Sequence, residues 1–460
     1  MPKKIATNKV LWIFAIGQLG WSILSGIISN WLVFFFQPSQ AELKLGQLEY
    51  IPQGTFLGLT AIGLITAFGR IFDAVTDPFI AGKSDSLKHK WGRRIPFMRF
   101  AAVPFGAVTV MLFISPFEAG SKGNVAVLFV FAMLFYLCMT CYCTPYNALI
   151  PELGSTQDTR INLSTFISVT YFFGTAVAYL VPNIANIFME KAGYANSYRI
   201  TIVILAAVAV IAMLVPAFLI DENEYADTTP SKSDTFSSLT ATFKNKEFRT
   251  FVLSDILYWI GLTLFQTGLS FYITVLLGLG SNMTFPLFAI MTVMSLACYP
   301  FVNILSKKMG KKKLTTFAFI FFAGAFLVTS AAGILPIPAM AYGVIIAVLA
   351  AVPMAILGIL PQAVVADISE ADKLDTGESR QGMFYAARTF AFKLGQSIAM
   401  LLFTSIALIG KEIPEGNAGY GLGYRITALA AAVLCLLGGI VFLRYDEKKI
   451  ISKIEEGQKK

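Results

Sequence analysis

Apolar stretches of about 20 residues or more, long enough to cross a bilayer as a helix, recur twelve times along the chain. They cover residues 10–37, 52–83, 97–116, 124–150, 160–188, 199–220, 249–279, 284–306, 313–333, 337–366, 381–409 and 422–444. This pattern predicts an all-α membrane protein with twelve transmembrane helices in two six-helix bundles. The first run follows a basic start, "MPKKIATNK", and continues to Phe36. It is longer than the apolar core of a signal peptide, so an uncleaved first helix is expected.

The longest polar stretch, 221–248, lies between the sixth and seventh runs. It predicts an N-terminal bundle over 1–220, a cytoplasmic central loop over 221–248 and a C-terminal bundle over 249–460. The halves echo each other. "PFIAGKSDSLKHKWGRR" follows the second run and "PFVNILSKKMGKKK" the eighth, each with Pro-Phe near a helix end and Gly plus basic residues before the next. "TPYNALIPELGSTQDTR" in the fourth run likewise corresponds to "LPQAVVADISEADKLDTGESR" in the tenth. Two six-helix halves related by a parallel repeat form the plan of a secondary transporter, with a site expected near the midplane between them.

Composition agrees with the pattern. Of 460 residues, 56% are hydrophobic and 14% charged, against roughly 25% charged in soluble proteins. The net charge of +9 comes from short basic loops such as 83–94 and 307–313, and from Lys4, Lys9, Lys448, Lys449 and Lys453 near the ends. That is the positive-inside distribution, which places both termini in the cytoplasm of an inner-membrane protein and argues against nucleic acid as a partner. The five cysteines, including "CMTC" at 138–141, have no second pair and a single histidine, His89, for company. They read as small apolar helix fillers.

The informative residues are the ionisable ones inside the spans, where a charge costs about 2.5–3.5 kcal/mol on insertion scales and marks ion or substrate pathways. In "GRIFDAVTDPFIAGKSD" (69–85), Asp73 and Asp77 are four apart and Arg70 three before Asp73, so all three share a helix face. Two carboxylates with one guanidinium leave a negative charge that a cation can balance. Pro78 has no N–H, so the carbonyl of Ala74 loses its helical donor. With the two carboxylates and the Thr76 hydroxyl it makes a plausible oxygen shell for Na⁺. The alternative is a proton shared by the carboxylates, because like charges this close resist joint ionisation. Arg70 and Lys393 are the expected charge partners. At 1.5 Å per residue, Lys393 lies about 18 Å deep and Asp73 about 15 Å, so the lysine is expected to reach across the two halves.

Other polar side chains fall at similar depth. Gln18, Trp21, Ser22, Thr140, Asn147, Tyr258, Trp259, Arg388 and Lys393 are the candidate substrate-binding residues, because aromatics beside hydrogen-bonding groups suit a hydroxylated ligand such as a sugar. Asp255 is a further intramembrane acid. Arg388 is shallower than Lys393 and suits a cytoplasmic gate or an anionic substrate group. Arg94, Asp367 and Arg380 are expected to form that gate, with Asp367 facing Arg380 across the 367–380 segment. No intramembrane histidine, metal-ligand cluster or nucleophile–base pair can be placed, so no enzyme activity and no resident cofactor or metal are expected.

Three of these stretches carry a resemblance. "GRIFDAVTDP", "ADISEADKLDTGESRQGMFYAARTFAFKLGQS" (366–397) and "TPYNALIPEL" (144–153) resemble the second-, tenth-to-eleventh- and fourth-helix regions of the glycoside–pentoside–hexuronide:cation symporters, the major facilitator superfamily branch of the melibiose carrier. The resemblance implies the major facilitator fold and Na⁺-, H⁺- or Li⁺-coupled sugar symport by a monomer in the bilayer, using alternating access. It implies that the family's cation-site aspartates are Asp73 and Asp77 and that its lysine is Lys393. Where the melibiose carrier has acidic residues on its first and fourth helices, this chain has Ser22 and Cys143, and Asn147 stands in place of a sugar-contacting tryptophan. A lipid or lysolipid transporter of the same fold is the alternative reading.

Overall fold

The structure, a computed structural model, describes residues 4–226, 242–377, 381–417 and 419–458. Its contacts divide the chain into an N-terminal unit, Met1–Ser233, and a C-terminal unit, Asp234–Lys460. Numbering the long helices in chain order, the N-terminal unit contains α1 (Asn8–Phe36), α2 (Ala61–Ser86), α3 (Ile95–Met111), α4 (Lys122–Leu153), α5 (Gln157–Tyr179, continued by Val181–Ala192) and α6 (Tyr194–Leu219). The C-terminal unit contains α7 (Lys246–Phe271, ending in a π turn, Tyr272–Leu276), α8 (Thr284–Met309), α9 (Lys311–Ser330), α10 (Ala339–Thr376), α11 (Gln381–Ile406) and α12 (Leu422–Phe442), followed by α13 (Glu447–Gln458).

Each expected apolar run overlaps one of α1–α12. Among the described residues, ten helices are long and apolar enough to cross a membrane. The other two are α3, which has 17 residues, and α2, whose charges lower its hydropathy.

Packing repeats between the units. In the first, α1 packs on α5 and α6, α2 on α4, and α3 on α4 and α6. In the second, α7 packs on α11 and α12, α8 on α10, and α9 on α10 and α12. The starts of α3 and α9 show why the basic loops repeat. Gly92 (φ +99°) and Gly310 (φ +83°) turn the chain in the left-handed region, where glycine alone is at ease. A carboxylate then caps each helix. Glu222 accepts from the backbone N–H groups of Arg94 (2.8 Å) and Ile95 (2.9 Å). Glu447 accepts from those of Lys311 (2.6 Å) and Lys312 (3.0 Å). Unpaired N–H groups and the positive end of the helix dipole make this position favourable for an anion.

The run at 52–83 is not one helix. Thr55–Phe56 and Leu59–Thr60 form an antiparallel hairpin before α2 begins. Leu57 (φ +53°) and Gly58 (φ +79°) turn its tip, which a helix cannot accommodate. Thr60 then caps α2 by accepting from Gly63 N–H at 3.1 Å. The polar stretch at 221–248 is also partly helical: Glu222–Tyr225 forms a short helix and α7 begins at Lys246.

Candidate ion and substrate sites

The α2–α4 contact carries the candidate ion site. Gly69 lets the two helices close together: the Tyr136 ring lies 2.0 Å from where a Cβ on residue 69 would be. One turn further along α2, Asp73 is almost fully buried and its Oδ1 accepts from Thr140 Oγ1 at 2.8 Å. Asp77, half-buried, accepts from Thr144 Oγ1 at 3.0 Å. Two carboxylates spaced i, i+4 on one helix thus meet two hydroxyls spaced i, i+4 on the next, which is the spacing that stacks side chains on one helical face. The Thr76 hydroxyl donates to the Phe72 carbonyl (2.9 Å) and lies 3.3 Å from Thr140 Oγ1. Ala74 is buried, and α2 runs unbroken through Pro78, so the Ala74 carbonyl lacks the helical donor that a residue other than proline would supply. Threonine hydroxyls hold and orient a carboxylate, but they neutralise no charge. The oxygens gathered here are those that hard cations take as ligands.

Arg70 departs from expectation. Its guanidinium donates to Ser29 of α1 at 3.3 Å and lies over the Tyr136 ring at 5.5 Å; among the described residues it forms no ion pair with either aspartate. Side chains on a helix lean toward its N-terminus, and Arg70 precedes Asp73, so its long stem carries the charge away from the acid.

Arg388 also departs. It is buried on α11 and grips the buried Asp255 of α7 with two hydrogen bonds, Nε to Oδ2 at 2.7 Å and Nη2 to Oδ1 at 3.0 Å. A bidentate pair of this kind satisfies both groups, so the Arg388 guanidinium is engaged with Asp255 inside the C-terminal unit. The described residues expected at the gate each have partners within their own unit. Arg94 pairs with Glu152 (2.6 Å) and Asp85 (3.5 Å) inside the N-terminal unit. Asp367 pairs with Lys311 inside the C-terminal unit. Arg380 lies outside the described residues.

The other candidates divide between the two units. Gln18 and Ser22 are buried and bond to one another along α1, Gln18 Nε2 donating to Ser22 Oγ at 3.1 Å, and Ser22 packs under Gly174 of α5. Asn147 is exposed on α4, while Cys143 and Lys393 are half-buried, the latter next to Phe392 on α11. Tyr258 is buried among Trp259, Phe319 and Phe322. Trp21 and Trp259 share a feature not visible in the sequence: each has a buried indole N–H that meets no acceptor among the described residues. They stand equally far from the starts of α1 and α7. Each lies against an aromatic of the fifth helix of its own unit, Trp21 near Tyr171 (6.4 Å) and Trp259 stacked on Phe392 (4.6 Å).

Thr144, Glu152, Glu222 and Glu447 are not among the candidate residues drawn from the sequence. The i, i+4 spacing of Thr140 and Thr144, matching that of Asp73 and Asp77, was the available signal for Thr144. Nothing in the polar stretch marks Glu222.

Comparison with known proteins extends the resemblance to nearly the whole chain. A family model described as MFS/sugar transport protein matches residues 13–448. An uncharacterized symporter of Synechocystis is 32% identical over 33% of this chain and 26% of its own length. The isoprimeverose transporter of Lactiplantibacillus pentosus is 24% identical over 54% of this chain and 49% of its own length. These two alignments therefore span half or less of each relative. An uncharacterized symporter of Bacillus subtilis, YnaJ, is 23% identical over 96% of this chain and 93% of its own length. Among solved structures, the nucleoside transporter NupG superposes with a TM-score of 0.66 at 12% identity, covering 96% of this chain and all of that one. That likeness shows the all-α major facilitator fold.

Proposed function

The chain belongs to the glycoside–pentoside–hexuronide:cation symporter family of the major facilitator superfamily, and from that premise we propose that it couples entry of a cation to uptake of a neutral sugar or glycoside by alternating access. It is a transporter rather than an enzyme, an integral membrane protein with helices that span the bilayer. In this reading it crosses an inner membrane twelve times with both termini in the cytoplasm, and it works as a monomer.

The observation that carries the proposal is the matched ladder of Asp73 and Asp77 against Thr140 and Thr144; the Ala74 carbonyl freed by Pro78 is its proposed further ligand. Na⁺ or H⁺ binds there, and Thr76 completes the oxygen cluster. Lys393 supplies the positive charge that ion and substrate binding work against. A neutral substrate is favoured over an acidic one because Arg388, the cation best suited to a uronate carboxylate, is already closed by Asp255. Relatives are named for both classes: an isoprimeverose transporter and, in Escherichia coli, a glucuronide carrier homolog. The Trp21 and Trp259 indole N–H groups are the proposed donors to sugar hydroxyls.

Proteoliposomes charged with a Na⁺ or a H⁺ gradient and offered a panel of neutral and acidic glycosides test this directly. Concentrative uptake of a neutral member under one of the gradients is expected, and it should vanish in Asp73→Asn and Asp77→Asn proteins that still insert. Gradient-driven uptake that survives both substitutions refutes the coupling role, and preferential uptake of uronides refutes the substrate class.

A further inference from the structure

The hairpin between α1 and α2 exposes apolar side chains where nothing in the N-terminal unit uses them. Phe56 is 73% exposed and Leu57 86%. Leu57 also holds φ +53°, the one positive φ at a non-glycine position among the described residues. A branched side chain is disfavoured in that conformation, where glycine or asparagine would be at ease, so neither the turn nor the packing explains leucine at the tip.

Its base is fixed. Gln53 Nε2 donates to the Phe36 carbonyl at the end of α1 (2.9 Å). Asn124, near the start of α4, donates to the Tyr50 carbonyl (2.8 Å), and Glu49 accepts from Gly120 N–H (2.8 Å). The chain then passes from Thr60 directly into α2. The tip is therefore held at the level where α1 ends and α2 and α4 begin. With 26 residues, α2 is about 39 Å long at 1.5 Å per residue, which exceeds a hydrocarbon core of about 30 Å but lies within the 40–45 Å that includes the headgroups. A tip at the start of α2 thus falls in the headgroup zone. Further along the same helix, Phe68, Ile71, Val75 and Phe79 are all exposed and recur at helical spacing.

We propose that Phe56 and Leu57 form a membrane anchor, inserted at the headgroup–acyl boundary, that fixes the entry of α2 against the bilayer. The occupant of this surface is lipid, since the two side chains at the tip are apolar and sit at the entry of a helix whose exposed side chains Phe68, Ile71, Val75 and Phe79 are apolar too. Burial of such side chains at the boundary gains the same apolar transfer energy that holds interfacial segments on membranes.

The test uses the full chain in vesicles of phosphatidylcholine and phosphatidylglycerol, with bimane attached at Phe56→Cys or Leu57→Cys and the label taken up by the unaltered protein subtracted. Lys88→Cys, exposed in the basic loop after α2, serves as the aqueous reference. Both positions are exposed, so the label displaces no packed side chain. Quenching by lipids brominated on the acyl chains should be about twofold or more above the reference, with iodide quenching reduced, as for groups held 5–10 Å into the interface. Iodide quenching equal to the reference, with no response to brominated lipid, overturns the proposal. Shielding from both quenchers also overturns it, because it would place protein over the tip.

Discussion

Helices α2 and α4 of the first unit and α8 and α10 of the second pack against each other in the same way and carry prolines at corresponding points. Their chemistry differs. Counting back from Pro78 and Pro300, the counterparts of Asp77 and Asp73 are Tyr299 and Ser295. Counting back from Pro145 and Pro361, those of Thr144 and Thr140 are Leu360 and Ile356, both buried. One contact is a ladder of carboxylates and hydroxyls; the other joins the same helices through apolar and weakly polar groups. The fold therefore needs the contact but not the acids. Charge costly to bury and dispensable for packing is charge kept for another purpose.

Making α2–α4 resemble α8–α10 breaks the difference most completely. The double substitution Asp73→Ser with Thr140→Ile should leave the transition temperature in detergent nearly unchanged, because a buried charge and its partner give way to groups the sister contact already tolerates. Concentrative uptake in proteoliposomes should disappear altogether. If instead the protein unfolds, the acid is structural and the comparison fails.

Asp255 and Arg388 supply the opposite case, a buried charge closed from within. Removing one partner leaves the other uncompensated, so Asp255→Ala should cost about 3–5 kcal/mol of stability. Replacing both, as Asp255→Leu with Arg388→Met, should restore most of that loss, since buried pairs often exchange for apolar groups without net cost. Thermal unfolding of the singles and the double gives the coupling between them. A double variant as unstable as either single would show that the pair does more than satisfy itself.

How much of this could be read from the chain depends on the range of the interaction. Apolar runs and the i, i+4 pair Asp73 and Asp77 are local, so periodicity alone reveals them. The Gly-plus-basic loops at 92–94 and 310–313 were legible as a repeat, but not their purpose, because the capping carboxylates arrive from Glu222 and Glu447, more than a hundred residues away. Arg388 looked free because its partner lies 133 residues earlier in the chain. Arg70 was assigned to Asp73 by spacing, and the lean of side chains toward the helix N-terminus undid it. At 52–60 the apolar count outweighed the glycines, which hid a hairpin inside a predicted span. Partner choice over long separations, rather than helix content, is what the sequence withheld.

The two rungs of the ladder should differ in strength. Thr140 serves a carboxylate that is 1% exposed, Thr144 one that is half-buried. Hydrogen bonds to charged groups contribute about 1.5–3 kcal/mol, most where water cannot replace them. Thr140→Val should therefore raise the coupling-ion concentration for half-maximal uptake by about tenfold to a hundredfold, and Thr144→Val should raise it by less. The half-saturating glycoside concentration at saturating ion should hold steady in both. Equal effects, or an effect on the glycoside alone, would remove these threonines from the ion site.

The smallest effect is expected at the paired tryptophans, and its sign is what matters. Trp31 donates its indole N–H to the Ala178 carbonyl at 2.7 Å, so its partner is part of the protein. Trp21 and Trp259 have no acceptor for theirs among the described residues. Removing a satisfied donor should destabilise, whereas removing a buried unsatisfied one should be neutral or stabilising, by about 1 kcal/mol. Trp31→Phe should accordingly lower the transition temperature and leave glycoside affinity alone. Trp21→Phe and Trp259→Phe should hold or raise it while weakening the transported glycoside by up to about tenfold each, the loss of one hydrogen bond to a ligand. A tryptophan that behaves like Trp31 in both measurements is packing, and the donor role then falls to other groups on α1 and α7. One that shows the opposite pair of signs behaves as a donor kept for the substrate, its buried unpaired N–H costing stability and gaining affinity.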